Sequence, residues 1–397
     1  MTAHTDQDIV IAAAARTPIG GFMGGLADVS AVELGVVATR AAVERSGLAP
    51  ELIDQVIFGM ARQAGSGPNV ARQVQIGAGL PQTGTALTVN QACASGLRAI
   101  TLAAGEVASG AARAVVAGGT ESMSGIPFLL PKMRKGYRLG HGELLDGNYQ
   151  DGFNCPLVGA PMGSTAETLA DKYEIDRAAQ DAFAVASQHK AEAAMQAGRF
   201  ADEIAPVTVK TRKGETVVDT DEHPRPGASV EGMAKLKPVF RKDGTVHAGN
   251  SSGITDGAAA VLVTSRGFAQ QHGLPVMATL THHAMAGVDP AIMGIGPVPA
   301  TQALLERAGL ALSDIDLIEL NEAFAAQVIA CDRELSLDHE RLNVNGGAIA
   351  LGHPIGCTGA RIVVTLLHEM QKRDAKRGLA TLCVSGGMGI SALFERA

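Results

Sequence analysis

The hydrophobic pattern switches repeatedly between short, almost wholly apolar runs and stretches with helical spacing. The first run, roughly Asp8 to Ala15, leads into ARTPIGGFMGGL, whose Gly and Pro residues predict an irregular loop. Ser30 with Glu33 three residues on has the form of a capping box and opens a helix predicted to reach about Ser46. ERSGLAPELIDQVIFGM then reads as a helix end, a turn and a strand. A near copy recurs as ERAGLALSDIDLIELNE: Glu44 and Glu306 stand 262 apart, as do Asp54 and Asp316. LTVNQAC and LNVNGGA repeat in the same order, with Asn90 and Asn345 255 apart, and AVVAGGTES loosely matches TLCVSGGMG. Chance likeness between Ala- and Gly-rich segments does not readily produce three matches in one order at nearly constant offsets. The expected fold is α/β, with two duplicated βαβαβ halves whose apolar strands form a sheet covered on both faces.

Between the halves the texture changes. PKMRKGYRLGHGE and DEHPRPG are polar and rich in Pro and Gly, while STAETLADKYEIDRAAQDAFAVASQHKAEAAMQAG is strongly helical. An inserted domain over 121–249 is expected, with the N-terminal half formed by 1–120 plus about 250–274 and the C-terminal half by 275–397. The cluster Lys132, Arg134, Lys135 and Arg138 is either a solvated surface or an attractor of phosphates. No Walker A pattern occurs, and no G-x-G-x-x-G follows the first strand, so the usual nucleotide sites lack support.

Composition narrows the function classes. The 397 residues exceed one typical core, and 46% hydrophobic against 18% charged residues with 48 Gly suits a closely packed α/β enzyme. A net charge of −7, no Trp and three Tyr give nucleic acid little to bind. Five Cys without a C-x-x-C pair suggest neither zinc nor a disulfide framework, and a reducing compartment fits. Asp6 and Asp8 stand where a signal peptide would be basic, and no apolar stretch is long enough to span a membrane. A cytoplasmic protein with no metal, no nucleic acid and no membrane partner is expected.

Thr85 to Gly110 reads as a strand, a polar turn and a helix of small residues, with Cys93 at the hinge. A thiol at a helix start faces unpaired N–H groups and the positive dipole end, which favour thiolate and make Cys93 a candidate nucleophile; a small buried hydrophobe is the alternative. The small residues predict a helix buried all round. NEAFAAQ, GGAIALGHPIGCTGA and CVSGGMG also fall at strand ends, the edge of a parallel sheet where ligands bind. His353, between Gly352 and Pro354, is suited to aim an imidazole into a cleft as a base for Cys93. Cys383 supplies a second thiol, as a reaction with two proton-transfer phases would use.

With NQACASG, NEAFA, GGAIALGHPIG and CVSGGMG in order, and RTPIGGF and AGNSSGITDGAAA besides, the chain resembles the thiolases over essentially its whole length. The resemblance implies a layered αβαβα core and a homodimer or homotetramer. It implies reversible Claisen condensation of two acetyl-CoA to acetoacetyl-CoA plus CoA, ping-pong through an acyl-Cys. Coenzyme A thioesters are then substrates, and no cofactor is permanently bound. Cys93 maps to the acylated thiol, His353 to its activator, Cys383 to the acid/base and Asn321 to the holder of an oxyanion-hole water. The backbone N–H groups of Cys93 and Ser385 map to a second oxyanion hole. Ser385 stands where many thiolases have Gly, which is costly if that position needs positive φ. Arg225, Ala248 and Ser252 map to CoA contacts, and Met162, Phe240, Met293 and Phe324 to the acyl pocket, although Met and Phe serve a core equally well. Pro161 stands where many short-chain members carry His, so a degradative thiolase acting on other 3-ketoacyl-CoA is an alternative. A non-catalytic acyl-CoA carrier is another. A β-ketoacyl synthase would pair its Cys with two His, or with His and Asn.

Overall fold

The computed structural model describes residues 5–212 and 214–396, and within them one strand order occurs twice, side by side. The first copy comprises β1 (Ile9–Arg16), α1 (Ala31–Ser46), β2 (Gln55–Gly59), α2 (Val70–Gly77), β3 (Thr85–Val89), α3 (Ser95–Ala108) and β4 (Ala114–Ser122). The chain then leaves the sheet for an excursion carrying α4 (Met162–Lys172) and α5 (Arg177–Gln196), and returns as β5 (Thr255–Ser265). The second copy comprises β6 (Ala278–Gly287), α6 (Pro297–Ala308), β7 (Leu317–Leu320), α7 (Ala325–Leu335), α8 (Ile355–Arg373), β8 (Arg377–Val384) and β9 (Met388–Glu395).

In the first copy β2 lies parallel between β3 and β4, and β5 pairs antiparallel with both β4 and β1. In the second, β7 is parallel to β8, and β9 pairs antiparallel with β8 and β6. The counterpart of β3 has shrunk to a single parallel bridge between Ile318 and Leu342. The copies join where β1 meets β6 at only two pairs, Val10 with Thr279 and Ile11 with Ala278. A register break falls at the same point in each opening strand, between Ile11 and Ala13 and between Leu280 and His282. Gly47 (φ 72°) and Gly309 (φ 66°), 262 residues apart, end α1 and α6 in the left-handed conformation.

Three buried clusters account for the layers. One face of the first copy's strands packs against α1 and α2, and one face of the second copy's strands against α6 and α7. The opposite faces of both enclose α3 and α8 in the largest cluster. This layering explains why β4 and β5 are buried at every position but Ser265 rather than at alternate ones. The helix buried all round is α8, every residue of which is buried from Ile355 to Met370, whereas α3 exposes Gly105 and Ala108 near its end. The first turn of α3 touches the second turn of α8 backbone to backbone: a Cβ on Gly96 would lie 2.6 Å from Ala360 N, and one on Gly359 2.4 Å from Leu97 N. Both helix N-termini are thereby brought to one place.

The excursion is tied to the sheet through Arg16 at the end of β1. Its fully buried guanidinium meets Glu203 at 2.6 Å and Asp221 at 2.7 and 2.9 Å. The basic cluster at 132–138 is exposed.

Candidate active site

Cys93 occupies a single helical turn, Ala92–Ala94, that runs directly into α3. Ala92 has φ 46°, a region residues with a Cβ adopt reluctantly, and the polar neighbours hold it there. Ala92 N–H donates to Asn90 Oδ1 at 3.0 Å, while Ser95 Oγ donates to Ala92 O at 2.7 Å and accepts from Gln91 N–H at 2.9 Å. Asn90 and Ser95 therefore shape the bend that presents the thiol.

The electrostatics of Cys93 differ from the helix-start expectation. Burial pushes the thiol up, against the lowering influence of the Ser385 N–H directed at it and of the Arg62 cation. At 8% exposure, desolvation outweighs the dipole and the donors, so the resting group is a thiol.

His353, 6% exposed, precedes α8. Its Nδ1 lies 2.6 Å from Thr358 Oγ1, while its Nε2 has no hydrogen-bond partner among the described residues. Burial, reinforced by Arg62 and Arg361, pushes the imidazole down to about 3, so it is neutral near pH 7. Two buried carboxyls fix the loops around it. Glu121 accepts from Ala61 N–H (3.0 Å), Arg62 N–H (3.1 Å) and Gly356 N–H (2.8 Å), and its burial raises it to about 7. Glu322 accepts from Ser187 Oγ (2.7 Å), Asn343 Nδ2 (2.8 Å) and Ile349 N–H (3.2 Å), pinning the loop that leads to His353.

Cys93, His353, Ser252, Met162, Met293, Phe324 and Ser385 line one cavity of about 290 Å³. Ser385 itself does not have positive φ; Gly386 (φ 88°) and Gly387 (φ 87°) make the turn, so a side chain at 385 is unstrained. Cys383 and Asn321 lie fully buried, Cys383 at the end of β8 within an apolar cluster containing Met293 and Phe324. Burial pushes the Cys383 thiol well above its ordinary value, and Cys93 adds to the effect. Asn321 N–H donates to Thr381 O at 3.0 Å, and the Asn321 side-chain amide has no partner among the described residues. Arg225, Ala248 and Phe240 line a second cavity of about 590 Å³, which shares Met162, Ser252 and Phe324 with the first. Phe240 stands edge-on to Phe324 at 6.2 Å between centroids.

Arg62, Glu121, Glu322 and Thr358 were not singled out from the sequence. GHPIGCT carries Thr358 five residues after His353, and the Glu of NEAF was available as a buried carboxyl; nothing local marked Arg62 or Glu121. Among the described residues no group of three or more His, Cys, Asp or Glu is placed to hold a metal.

A cysteine and a neutral histidine at converging helix ends, with a backbone N–H aimed at the sulfur, are the components that a nucleophilic acyl transfer uses. Family models described as the N-terminal and C-terminal domains of thiolase match residues 9–267 and 274–396, and the chain belongs to the thiolase family. It is 55% identical over 391 residues to an acetyl-CoA acetyltransferase of Pseudomonas aeruginosa, covering 98% of this chain and 100% of that one. To the enzyme of the same name from Paracoccus denitrificans it is 53% identical over 390 residues, covering 98% and 99%. Among solved structures, the acetyl-CoA acetyltransferase of Bacillus anthracis matches with a TM-score of 0.96 at 46% identity, covering 98% of both chains. Human mitochondrial 3-ketoacyl-CoA thiolase matches at 0.95 and 42%, covering 99% of this chain and 100% of that one.

Proposed function

We propose that the protein catalyses the reversible Claisen condensation of two acetyl-CoA to acetoacetyl-CoA and CoA, ping-pong through an acyl group on Cys93. The observation that carries the reading is the common cavity of Cys93, His353 and Ser385, in which the unpartnered nitrogen of a neutral His353 is the one available as a base. Cys93 attacks the thioester carbonyl as His353 takes its proton, so that no isolated Cys93 thiolate is needed in the apolar site. The developing oxyanion is met by the N–H groups of Cys93 and Ser385. Cys383 gives its proton to the departing CoA sulfur and, as the thiolate so formed, removes a proton from the methyl of a second acetyl-CoA. His353, still holding the Cys93 proton, and the Asn321 amide, directly or through water, stabilise the enolate oxygen. His353 returns its proton to Cys93 as the enolate carbon displaces that sulfur from the acyl group.

The shared wall of the two cavities supports a path for pantetheine past Ser252, with Arg225 and Ala248 toward the nucleotide and Met162, Phe240, Met293 and Phe324 around the acyl chain. In this reading the inserted domain, 121–249, carries Met162, Arg225, Phe240 and Ala248. Coenzyme A thioesters are the substrates, with no permanently bound cofactor. The exposed edge strand β3, with Leu87 45% exposed, supports a homo-oligomer. Five unpaired cysteines support the cytoplasm, and among the described residues no helix is long and apolar enough to cross a membrane.

A second reading, thiolysis of longer 3-ketoacyl-CoA, is favoured by Pro161, which lines the outer cavity. Mixing acetoacetyl-CoA with CoA and following the enolate absorbance tests the activity. Binding without absorbance loss would leave only a carrier. Comparing kcat/KM for acetoacetyl-CoA with a medium-chain 3-ketoacyl-CoA separates the two catalytic readings.

A further inference from the structure

One charge at the wall of the catalytic cavity makes no contact that the proposed condensation uses. Arg62 follows β2, lines the cavity beside Cys93 and His353, and is 1% exposed. Its guanidinium carbon lies 4.7 Å from the centroid of the Phe153 ring. A Cβ on Gly152 would fall 1.9 Å from Nη2, so the group is also pressed against the Gly152 backbone. Ring and backbone fix its position, yet none of its three nitrogens has a hydrogen-bond partner among the described residues.

A guanidinium keeps its proton at any working pH, and burying it without hydrogen bonds is costly. Glu121, the largest influence of opposite sign, already accepts from three backbone N–H groups. Asp151 is exposed at the cavity wall, and Asp146 is half-buried; both act on Arg62 without a hydrogen bond to it. What remains is a positioned fork of N–H donors at a cavity wall, the arrangement that binds a carboxylate in bidentate fashion.

We propose that Arg62 receives a carboxylate at the far end of the acyl chain, so that the substrates include CoA thioesters of 3-oxodicarboxylic acids. The inference rests on the thiolase reading. With 3-oxoadipyl-CoA, Cys93 gives its proton to His353 and its sulfur attacks C3. The C2–C3 bond breaks with its electron pair on C2, which takes the proton of Cys383 and leaves as acetyl-CoA. The succinyl group stays on Cys93, its free carboxylate against Arg62. CoA returns a proton to Cys383 and displaces the acyl group as succinyl-CoA, while His353 returns the proton to Cys93.

The test compares thiolysis of 3-oxoadipyl-CoA with that of 3-oxohexanoyl-CoA, which has the same carbon count and no terminal carboxylate, by acetyl-CoA release. The wild type is expected to favour the carboxylated substrate in kcat/KM by about ten- to a hundredfold, the scale of a charge-assisted bidentate pair. Arg62→Met should remove that preference, and Arg62→Lys, which keeps the charge without the fork, should retain part of it. An Arg62 that merely tuned Cys93 and His353 would change both substrates alike and leave the ratio untouched, which would overturn the proposal. A wild-type ratio at or below one overturns it even if Arg62→Met fails to fold. Acetoacetyl-CoA is run alongside: its turnover with no preference sinks this inference alone, whereas no turnover of any substrate sinks the thiolase reading.

Discussion

His353 Nδ1 lies 2.6 Å from Thr358 Oγ1, and that hydroxyl donates its only proton to Pro354 O at 2.9 Å. Thr358 can therefore only accept from the ring, so Nδ1 carries the proton and Nε2 keeps its lone pair. On the reading of His353 as the base, Thr358 is a positioning residue: it sets the tautomer from outside the lining of the cavity. Thr358→Val, nearly equal in volume, should lower kcat by up to about a hundredfold, the cost of misplacing a catalytic group. Thr358→Ser should restore most of it. Equal kcat in the wild type and Thr358→Val would remove the role.

The same imidazole makes stability depend on pH in a defined direction. Its folded value of about 3 is below the ordinary 6.5, so the folded state resists its protonation. The contribution is fully present above pH 6.5 and is lost as pH falls toward 3, with a slope of at most about 1.4 kcal/mol per pH unit for one proton. Glu121, raised from 4.5 to about 7, has the opposite sign: its contribution is present below 4.5 and lost as pH rises to 7. The difference between wild type and His353→Gln is therefore the quantity to read. Urea unfolding at pH 7.5 and 5 should show the wild type losing more stability than the variant; parallel losses would contradict a depressed imidazole.

The repeat was legible because its carriers are local. A Gly ends α1 and α6, apolar runs mark strands buried on both faces, and the offset of 262 brings these features into register. The second copy of β3 was not legible as lost: LNVNGGA resembles LTVNQAC, yet Leu342 keeps one bridge where Thr85–Val89 forms a strand. In the site, Cys93, His353 and Cys383 stood out through the turns that carry them. Arg62 and Glu121 did not, because their relevance arises only when β2 and β4, over fifty residues apart in sequence, lie side by side. The protonation of Cys93 differs from what its helix start implies, because local sequence shows the helix start but not how completely the rest of the fold excludes water.

Two glycines of α3 should respond oppositely to the same substitution. Gly96→Ala drives a Cβ to within 2.6 Å of the backbone N of Ala360, which belongs to a helix buried on every side and has no room to retreat. A loss of about 3 kcal/mol is expected, the upper end of overpacking costs, together with reduced activity as the two helix starts separate. Gly105 is exposed with nothing within 4 Å of its added Cβ, so Gly105→Ala should stabilise by roughly 0.5–1 kcal/mol through helix propensity. Denaturant midpoints of the two variants decide; equal shifts would mean the helix contact is not tight.

The division of labour between the thiols is separable by half-reaction. If Cys93 carries the acyl group, acetyl-CoA alone should add the mass of one acetyl group to the peptide containing Cys93, and Cys93→Ala should abolish it. Cys383 is fully buried at the end of β8, with its thiol pushed well above the ordinary range, which suits a group that keeps its proton between transfers. Cys383→Ala should thus still become acetylated, since His353 activates the nucleophile, while condensation and thiolysis fall by about 10²–10⁴, as for loss of a positioned acid/base. His353→Ala should impair both half-reactions, because it serves the nucleophile in one and the enolate in the other. Acetyl found on the Cys383 peptide, or full condensation by Cys383→Ala, would exchange or erase these roles even with thiolase activity intact.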